Sequence, residues 1–373
     1  MDLQYNFSGG PGALPLPVLM QAQQAIHEVP EVGLSILGIN HRSDWFRAAL
    51  DEAEANIRQL LKVPDNYHVL FLQGGSTLQF AMLAMNFGGI GEQPPSYVSS
   101  GYWSRKSVSD SGVGAQMRIV WDGESMGFRR MPKASELDID PRSSYLHYVS
   151  NETVEGLQTH DGLFAGDIPV FCDMSSDFMS RPIDVSRYAM IYAHAQKNLG
   201  PAGVTIAILR DDMVERAQTG LASILDYRTH IAARSIYNTP PVFSLYIVLL
   251  VTRWIRETFG NLENLDAVNR RKADLLYRVI DADSGIYVAH AERESRSSMN
   301  VAFTCRTPEL TAQFLREAQA AGLHGLDGHR SIGGVRASLY NALTEHEARV
   351  LASFMERFSE RHAAVRELSL AEA

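Results

Sequence analysis

Lysine is costly to bury, and Lys197 stands where burial is hard to avoid. It follows the apolar run 190–193 in Tyr192-Ala193-His194-Ala195-Gln196-Lys197-Asn198-Leu199-Gly200 and precedes a second apolar run, 203–209. At the end of a core strand its ε-amine is partly desolvated, which lowers its pKa and frees the lone pair to form a Schiff base with a carbonyl. A solvated lysine in a surface turn has the same local spacing. The residue 24 positions earlier favours the first reading, because Asp173 closes the apolar run 168–172. An acid so placed pairs with a protonated heterocyclic nitrogen and keeps the ring an electron sink. An aspartate capping a helix is its alternative.

Gly74-Gly75-Ser76-Thr77 lies between a predicted strand and a predicted helix. Backbone N–H groups at a helix start bind phosphate, and glycines allow close approach. No Gly-Lys-Ser/Thr follows, and the dinucleotide glycine pattern is missing, so neither of those phosphate loops applies; a plain tight turn fits equally. Gly101-Tyr102-Trp103 follows a short strand, and a tryptophan in such a loop either stacks on a planar ring or fills a core. His-Arg-Ser occurs twice, as His41-Arg42-Ser43 and His329-Arg330-Ser331, and Arg336 follows the second copy. Arginine forks bind carboxylate and phosphate bidentately, so three of them suit a substrate with two anionic ends; solvated, salt-bridged arginines are the plainer reading. Amine, ring-nitrogen partner and phosphate loop together describe a site for pyridoxal 5′-phosphate.

The elements needed to hold these residues can be read from periodicity. Residues 43–61 predict a helix, with Ser43 as N-cap and Trp45, Phe46, Ala49, Leu50, Ala53, Ile57 and Leu60 on one face. A strand is predicted over 67–72 and a helix over 78–86. Short β-branched runs follow at 96–99, 117–121, 145–149, 168–172, 190–193 and 203–209. Strands alternating with helical stretches predict an α/β fold with a largely parallel sheet flanked by helices. Pro240-Pro241 precedes a long apolar helix, 243–259. Beyond it, helices over 264–280, 309–321 and 345–361 and strands over 300–304 and 334–340 predict a smaller C-terminal α+β module.

With 373 residues, 45% of them hydrophobic, the chain buries a large core and is long for one domain. The formal net charge of −9 argues against nucleic acid or an anionic membrane as partner. Two cysteines, Cys172 and Cys305, build neither a disulfide framework nor a Cys-rich metal site, and no metal is expected. Both lie in apolar runs, as buried reduced thiols do, which fits a reducing cytoplasm. Residues 1–10 lack a secretory pattern, and the apolar stretch 242–255 is short for a membrane span and contains Arg253. A soluble cytoplasmic protein is expected.

Taken in order, these stretches resemble the phosphoserine aminotransferase family, class V aminotransferases of the pyridoxal-phosphate-dependent fold type I. The resemblance runs from Asn6-Phe7-Ser8-Gly9-Gly10-Pro11 through His41-Arg42, Gly74-Gly75, Gly101-Tyr102-Trp103, Asn151-Glu152-Thr153, Asp173-Met174-Ser175-Ser176 and Ser180-Arg181-Pro182-Ile183-Asp184. It continues through Ala195-Gln196-Lys197-Asn198, Ser223-Ile224-Leu225-Asp226-Tyr227, Tyr237-Asn238-Thr239-Pro240-Pro241, Gly328-His329-Arg330 and Arg336-Ala337-Ser338-Leu339-Tyr340-Asn341-Ala342.

The resemblance implies a large pyridoxal-phosphate-binding domain, 16–258, a small domain, 259–373, and an N-terminal segment, 1–15, near the active site. It implies a homodimer with shared active sites. Lys197 would hold the cofactor as the internal aldimine, Asp173 would pair with the ring nitrogen, Trp103 would stack on the ring and Thr153 would touch its hydroxyl side. Ser76, Thr77 and Gln196 would hold the cofactor phosphate, completed by Asn238 and Thr239 of the neighbouring subunit. Arg336 would bind the substrate α-carboxylate, and His41, Arg42, His329 and Arg330 the distal anion. The implied substrates are L-glutamate and 3-phosphohydroxypyruvate, with a one-carbon-longer phosphorylated keto acid also accepted. Some relatives carry an arginine where this chain has Thr77, which leaves fewer positive charges for the distal anion. Other class V chemistries stay open here, although a desulfurase needs a cysteine in a mobile polar loop and neither Cys172 nor Cys305 is so placed. A phosphate-binding scaffold in which Lys197 and Asp173 form a plain ion pair is the non-enzymatic alternative.

Overall fold

The computed structural model describes residues 4–112, 116–164, 166–282 and 285–371, with side chains of the last helix described to residue 362. The outer ends of the expected terminal segments, residues 1–3 and 372–373, lie outside the described residues. Among the described residues no helix is long and apolar enough to cross a membrane.

A seven-stranded sheet forms the centre. Its strands are β2 (Tyr67–Gln73), β3 (Ser96–Ser99), β4 (Arg118–Asp122), β5 (Leu146–Val149), β8 (Val170–Asp173), β9 (Met190–His194) and β10 (Val204–Arg210), in the order β2-β10-β9-β8-β5-β3-β4. All neighbours run parallel except β10, which is antiparallel to both β2 and β9. The apolar runs are continuous rather than alternating because both faces are covered. Along β2, Val69 and Phe71 enter one core while Leu70 and Leu72 enter the other. Ile191 and Ala193 of β9 likewise face away from Met190 and Tyr192.

Helices α1 (Leu16–His27), α2 (Asp44–Leu61) and α7 (Val242–Phe259) contribute to the first core, and α3 (Ser76–Phe87) to the second. Ser43 caps α2 as the spacing predicts, its hydroxyl accepting from the Phe46 N–H at 3.2 Å. Helix α3 begins two residues earlier than predicted, at Ser76, because Gly75 caps it without a side-chain hydrogen bond and leaves no polar signature. Two short helices, α5 (Asp211–Arg216) and α6 (Tyr227–Ala232), follow β10.

The C-terminal part has its own core. Strands β11 (Tyr287–Ala289), β12 (Asn300–Cys305) and β14 (Val335–Ser338) form an antiparallel sheet, packed with α8 (Leu262–Asp281), α9 (Pro308–Ala320) and α10 (Glu345–Ala371). Phe7 joins that core, and the short β1 (Tyr5–Asn6) pairs with β13 (Leu323–His324). The N-terminal segment thus leaves the C-terminal core and runs back to the central sheet, where the Gly12 N–H donates to the Gln196 carbonyl at 2.8 Å.

Candidate active site

The parallel strands β5, β8 and β9 end side by side, with Val149 paired to Asp173 and Asp173 to Tyr192. Chains leaving a parallel sheet at this edge diverge, and ligands bind in the crevice so formed. A cavity of about 290 Å³ lies there, lined by Gly75, Ser76, Thr77, Trp103, Val149, Asn151, Thr153, Asp173, Ser175, Ser176, His194, Gln196 and Lys197. Seven residues singled out from the sequence therefore share one cavity: Ser76, Thr77, Trp103, Thr153, Asp173, Gln196 and Lys197.

Lys197 is 6% exposed, and its Nζ donates to Thr153 Oγ1 at 2.6 Å. Burial lowers its pKa to about 8; the Asp173 carboxylate opposes that shift and the Arg336 guanidinium adds to it. Asp173 is buried and accepts from the Ser175 N–H at 2.8 Å, yet burial outweighs these bonds and raises its pKa to about 6. Lys197 Nζ lies 5.6 Å from the centre of the Trp103 ring. Trp103 is in the first turn of α4 (Tyr102–Asp110), not in a loop as expected. A short hairpin, β6 (Asn151–Glu152) and β7 (Leu157–Gln158), supplies the carboxylates that start this helix. Glu152 accepts from the N–H groups of Trp103 and Ser104, each at 2.9 Å, and Glu155 from that of Tyr102 at 2.9 Å.

Arg336 is half-buried on β14, close to the N-terminal segment: a Cβ on Gly9 would lie 2.3 Å from its guanidinium. The His329 ring packs against that of Tyr102 with centres 4.5 Å apart and planes tilted by 53°, and burial lowers its pKa, with Arg336 and Arg330 adding to the effect. Arg330 and Arg42 are exposed, and His41 Nε2 is buried without a partner among the described residues. Asn238 and Thr239 are exposed and do not line this chain's cavity; the Thr239 carbonyl accepts from Gln73 Nε2. His41, Arg42, His329, Arg330 and Arg336 are likewise not among the lining residues.

Sequence reasoning missed Asn151, Ser175, Ser176 and His194 as lining residues. Ser175 and Ser176 could have been found, since they directly follow Asp173; His194 and Asn151 carry no signal beyond adjacency to a strand end.

The cavity's chemistry fits pyridoxal 5′-phosphate. Helix α3 points its N-terminus into it with no side-chain cap, and a Cβ on Gly75 would meet nothing within 4 Å, which leaves room for a phosphate against backbone N–H groups. Ser76 Oγ lies 2.6 Å from Ser175 Oγ beside the same opening. Trp103 Nε1 and His194 Nδ1 are buried in the wall without partners among the described residues. Amine, carboxyl, aromatic face and phosphate cradle define an α/β enzyme of the pyridoxal-phosphate-dependent fold type I.

The aminotransferase class-V family model matches residues 4–351, and the chain belongs to that family. It is 44% identical over 358 residues to the phosphoserine aminotransferase of Laribacter hongkongensis (strain HLHK9), covering 96% of this chain and 99% of the relative. The solved phosphoserine aminotransferase of Bacillus circulans subsp. alkalophilus superposes with a TM-score of 0.93 at 40% identity, covering 96% and 99% of the two chains. The PLP-bound phosphoserine aminotransferase of Trichomonas vaginalis superposes with a TM-score of 0.86 at 32% identity, covering 95% and 100%.

Proposed function

We propose that this chain acts as a phosphoserine aminotransferase, moving the amino group of L-glutamate to 3-phosphohydroxypyruvate to give 2-oxoglutarate and O-phospho-L-serine. The observation that carries the reading is Lys197 buried against Thr153, in one cavity with Asp173 and the uncapped start of α3. The relatives' name, phosphoserine aminotransferase, and their near-complete coverage support phosphoserine as one member of the substrate pair.

Bound in the cavity, pyridoxal phosphate supplies an aldehyde that condenses with amines and a ring that takes up the electron pair left at Cα. Asp173 would hold the proton on the ring nitrogen, Trp103 would pack on the ring, and Ser76, Thr77 and Gln196 would hold the phosphate. Lys197 would anchor the cofactor at rest. Once freed by the incoming amine, its neutral Nζ would take the proton from Cα and deliver it to the cofactor's C4′ carbon, on the far side of the nitrogen. The lowered pKa supports this role, because an ammonium cannot accept a proton. Arg336 binds the α-carboxylate, and His41, Arg42, His329 and Arg330 receive the distal phosphate or carboxylate. A substrate lacking the α-carboxylate leaves the half-buried Arg336 unpaired, and one lacking the distal anion forfeits its bonds to the second set of groups, which is how the site selects.

We further propose a homodimer in which Asn238 and Thr239 complete the partner's phosphate site. Their exposure away from this chain's cavity supports it, as do the exposed apolar Leu16, Met20, Leu34 and Leu37 around α1. Residues 16–258 and 259–373 are read as the large and small domains. The buried free thiols Cys172 and Cys305 support a cytoplasmic location and speak against a desulfurase: burial raises the pKa of both, that of Cys305 to about 11. The longer phosphorylated keto acid used in pyridoxine biosynthesis is a second substrate. The test is a coupled assay with glutamate and 3-phosphohydroxypyruvate set against unphosphorylated hydroxypyruvate. Equal kcat/KM for the two keto acids would remove phosphoserine from the assignment.

A further inference from the structure

Two glutamates are buried side by side at the start of α4, and the mechanism above uses neither. Glu152 is 0% and Glu155 2% exposed. Glu152 is fully engaged: Oε1 accepts from the Ser104 N–H and Ser100 Oγ, and Oε2 from the Trp103 N–H. Glu155 Oε1 accepts from the Tyr102 N–H, while its Oε2 is buried with no donor among the described residues. Both carboxyls crowd Gly101, where an added Cβ would lie 2.6 Å from Glu155 Oε2 and 2.8 Å from Glu152 Cδ. Three successive N–H groups of one helical turn, those of Tyr102, Trp103 and Ser104, thus hang from two acids on one hairpin. That hairpin's turn also carries Thr153, the hydrogen-bond partner of Lys197.

We propose that Glu152 and Glu155 are positioning residues that share a single proton and together set the plane of Trp103 against the cofactor ring. This rests on the assignment of the cavity to pyridoxal phosphate. Glu152 is the charged member, since it accepts three donors at once. Glu155 carries the proton on Oε2, which turns an acceptor without a donor into a donor. Two buried carboxylates this close cannot both ionise without strong repulsion. Burial pushes both groups upward, and for Glu155 the neighbouring Glu152 charge adds to it. The charged groups facing Glu155 are Glu152 on the same hairpin and Arg336 on β14; His329 packs at a tilt against Tyr102 next to them. With Glu155 neutral, the Arg336 charge stays available to a substrate carboxylate rather than being paired off inside the protein.

The test uses reconstituted holoenzyme and two readouts other than turnover: circular dichroism in the cofactor's absorption band, and Kd for pyridoxal phosphate. Glu155→Ala is expected to weaken the band and raise Kd about tenfold, the effect of losing one buried hydrogen bond. Glu155→Gln, neutral and of the same shape, is expected to restore both. Glu152→Gln is expected to fail as Glu155→Ala does, because an amide offers one acceptor atom where two are used. Equal behaviour of the two glutamine variants, or an unchanged band in every variant, overturns the proposal. Should Glu152→Gln not fold, Trp103 emission in apoprotein decides, taken as wild type minus Trp103→Phe. As Glu155 loses its proton at about pH 8, that difference, measured in a Lys197→Ala background so that the amine 5.6 Å from the Trp103 ring does not titrate, should change with Glu155 intact and stay flat with Glu155→Gln. A change in both, or in neither, refutes the shared proton. A wild-type protein that takes up no pyridoxal phosphate would sink the reading of the cavity, whereas normal uptake with indistinguishable glutamine variants sinks this proposal alone.

Discussion

The charge state of Lys197 can be tested before any turnover is measured. With its pKa lowered to about 8, about one amine in ten is unprotonated at pH 7, against about one in three thousand for an unperturbed lysine. Capture of pyridoxal phosphate by apoprotein, followed by stopped-flow absorbance, should therefore rise tenfold per pH unit up to about 8 and level off above it. Asp173→Asn deletes the carboxylate that opposes the shift, so the plateau should begin at lower pH although turnover falls. Arg336→Ala should move it the other way. The same group contributes to stability with a definite sign. Its folded pKa lies below the unfolded value of 10.5, so the native state loses this proton first. The cost of burying the ammonium is present in full below about pH 8 and is relieved as pH rises toward 10.5. It amounts to about 3 kcal/mol, read as the difference between wild-type and Lys197→Ala apoprotein in urea titrations across that window. That subtraction matters because Lys272, lowered to about 7 by burial, acts in the same direction. A capture rate that climbs past pH 10 without a plateau, or an Asp173→Asn plateau displaced upward, would refute the placement of this amine.

Lys197→Ala should fold and still take up pyridoxal phosphate without a covalent link, but lose at least about a hundredfold in kcat, the lower range for a positioned acid–base group; mass spectrometry after borohydride treatment should find no adduct. Arg336→Ala should raise KM for both the amino and the keto substrate by about tenfold to a hundredfold, from the loss of charged hydrogen bonds; if the phosphorylated substrate alone suffers, the two anion sites have been exchanged. Lys272→Met should destabilise the protein by about 2–5 kcal/mol in thermal unfolding, since the buried Nζ serves the carbonyls of Leu339, Tyr340 and Leu343, each at 2.9 Å, and all three lose their donor together.

What the sequence reveals most clearly is the set of strands that both cores press on. Runs such as 190–193 and 203–209 are apolar on both faces, and every one of them forms a strand of the central sheet within a residue or two. Helix α1 escapes because the residues it buries, Val18, Ala22 and Ala25, are mostly small, while its large apolar Leu16 and Met20 stand 68% and 63% exposed, so no clear stripe shows, and it has no side-chain N-cap. Helix α4 is missed for another reason: its cap comes from Glu152 and Glu155, about fifty positions away in the chain, and no local pattern records it. Strand β11, three residues long, is too short to show a period. In the site, Lys197 and Asp173 stand out because a charged residue ending an apolar run is rare. Asn151, Ser175 and His194 are ordinary polar residues whose part depends on which strand ends beside them.

One line of contacts explains why the C-terminal core bears on a cavity built from the central sheet. Asn151, in the cavity wall, donates to Ser176 Oγ and to Asn300 Oδ1, each at 2.7 Å, and Asn300 on β12 donates to Ser338 Oγ at 3.0 Å. Tyr340, just past β14, donates to the Gly9 carbonyl at 2.7 Å, and Gly9 lies against the Arg336 guanidinium. Each of these polar groups is buried or nearly so, and an unmet partner in such a place costs about 1–3 kcal/mol, so the groups hold one another in register. Sliding the C-terminal sheet relative to the hairpin 151–158 breaks the Asn151–Asn300 bond together with those from Ser297 Oγ to Asn151 Oδ1 and from the Ser298 N–H to Gln158 Oε1. Arg336, proposed here to bind the α-carboxylate, and Thr153, which accepts from Lys197, are therefore placed by one chain of hydrogen bonds and close contacts, and the distance between guanidinium and amine is set by the fold rather than by either side chain.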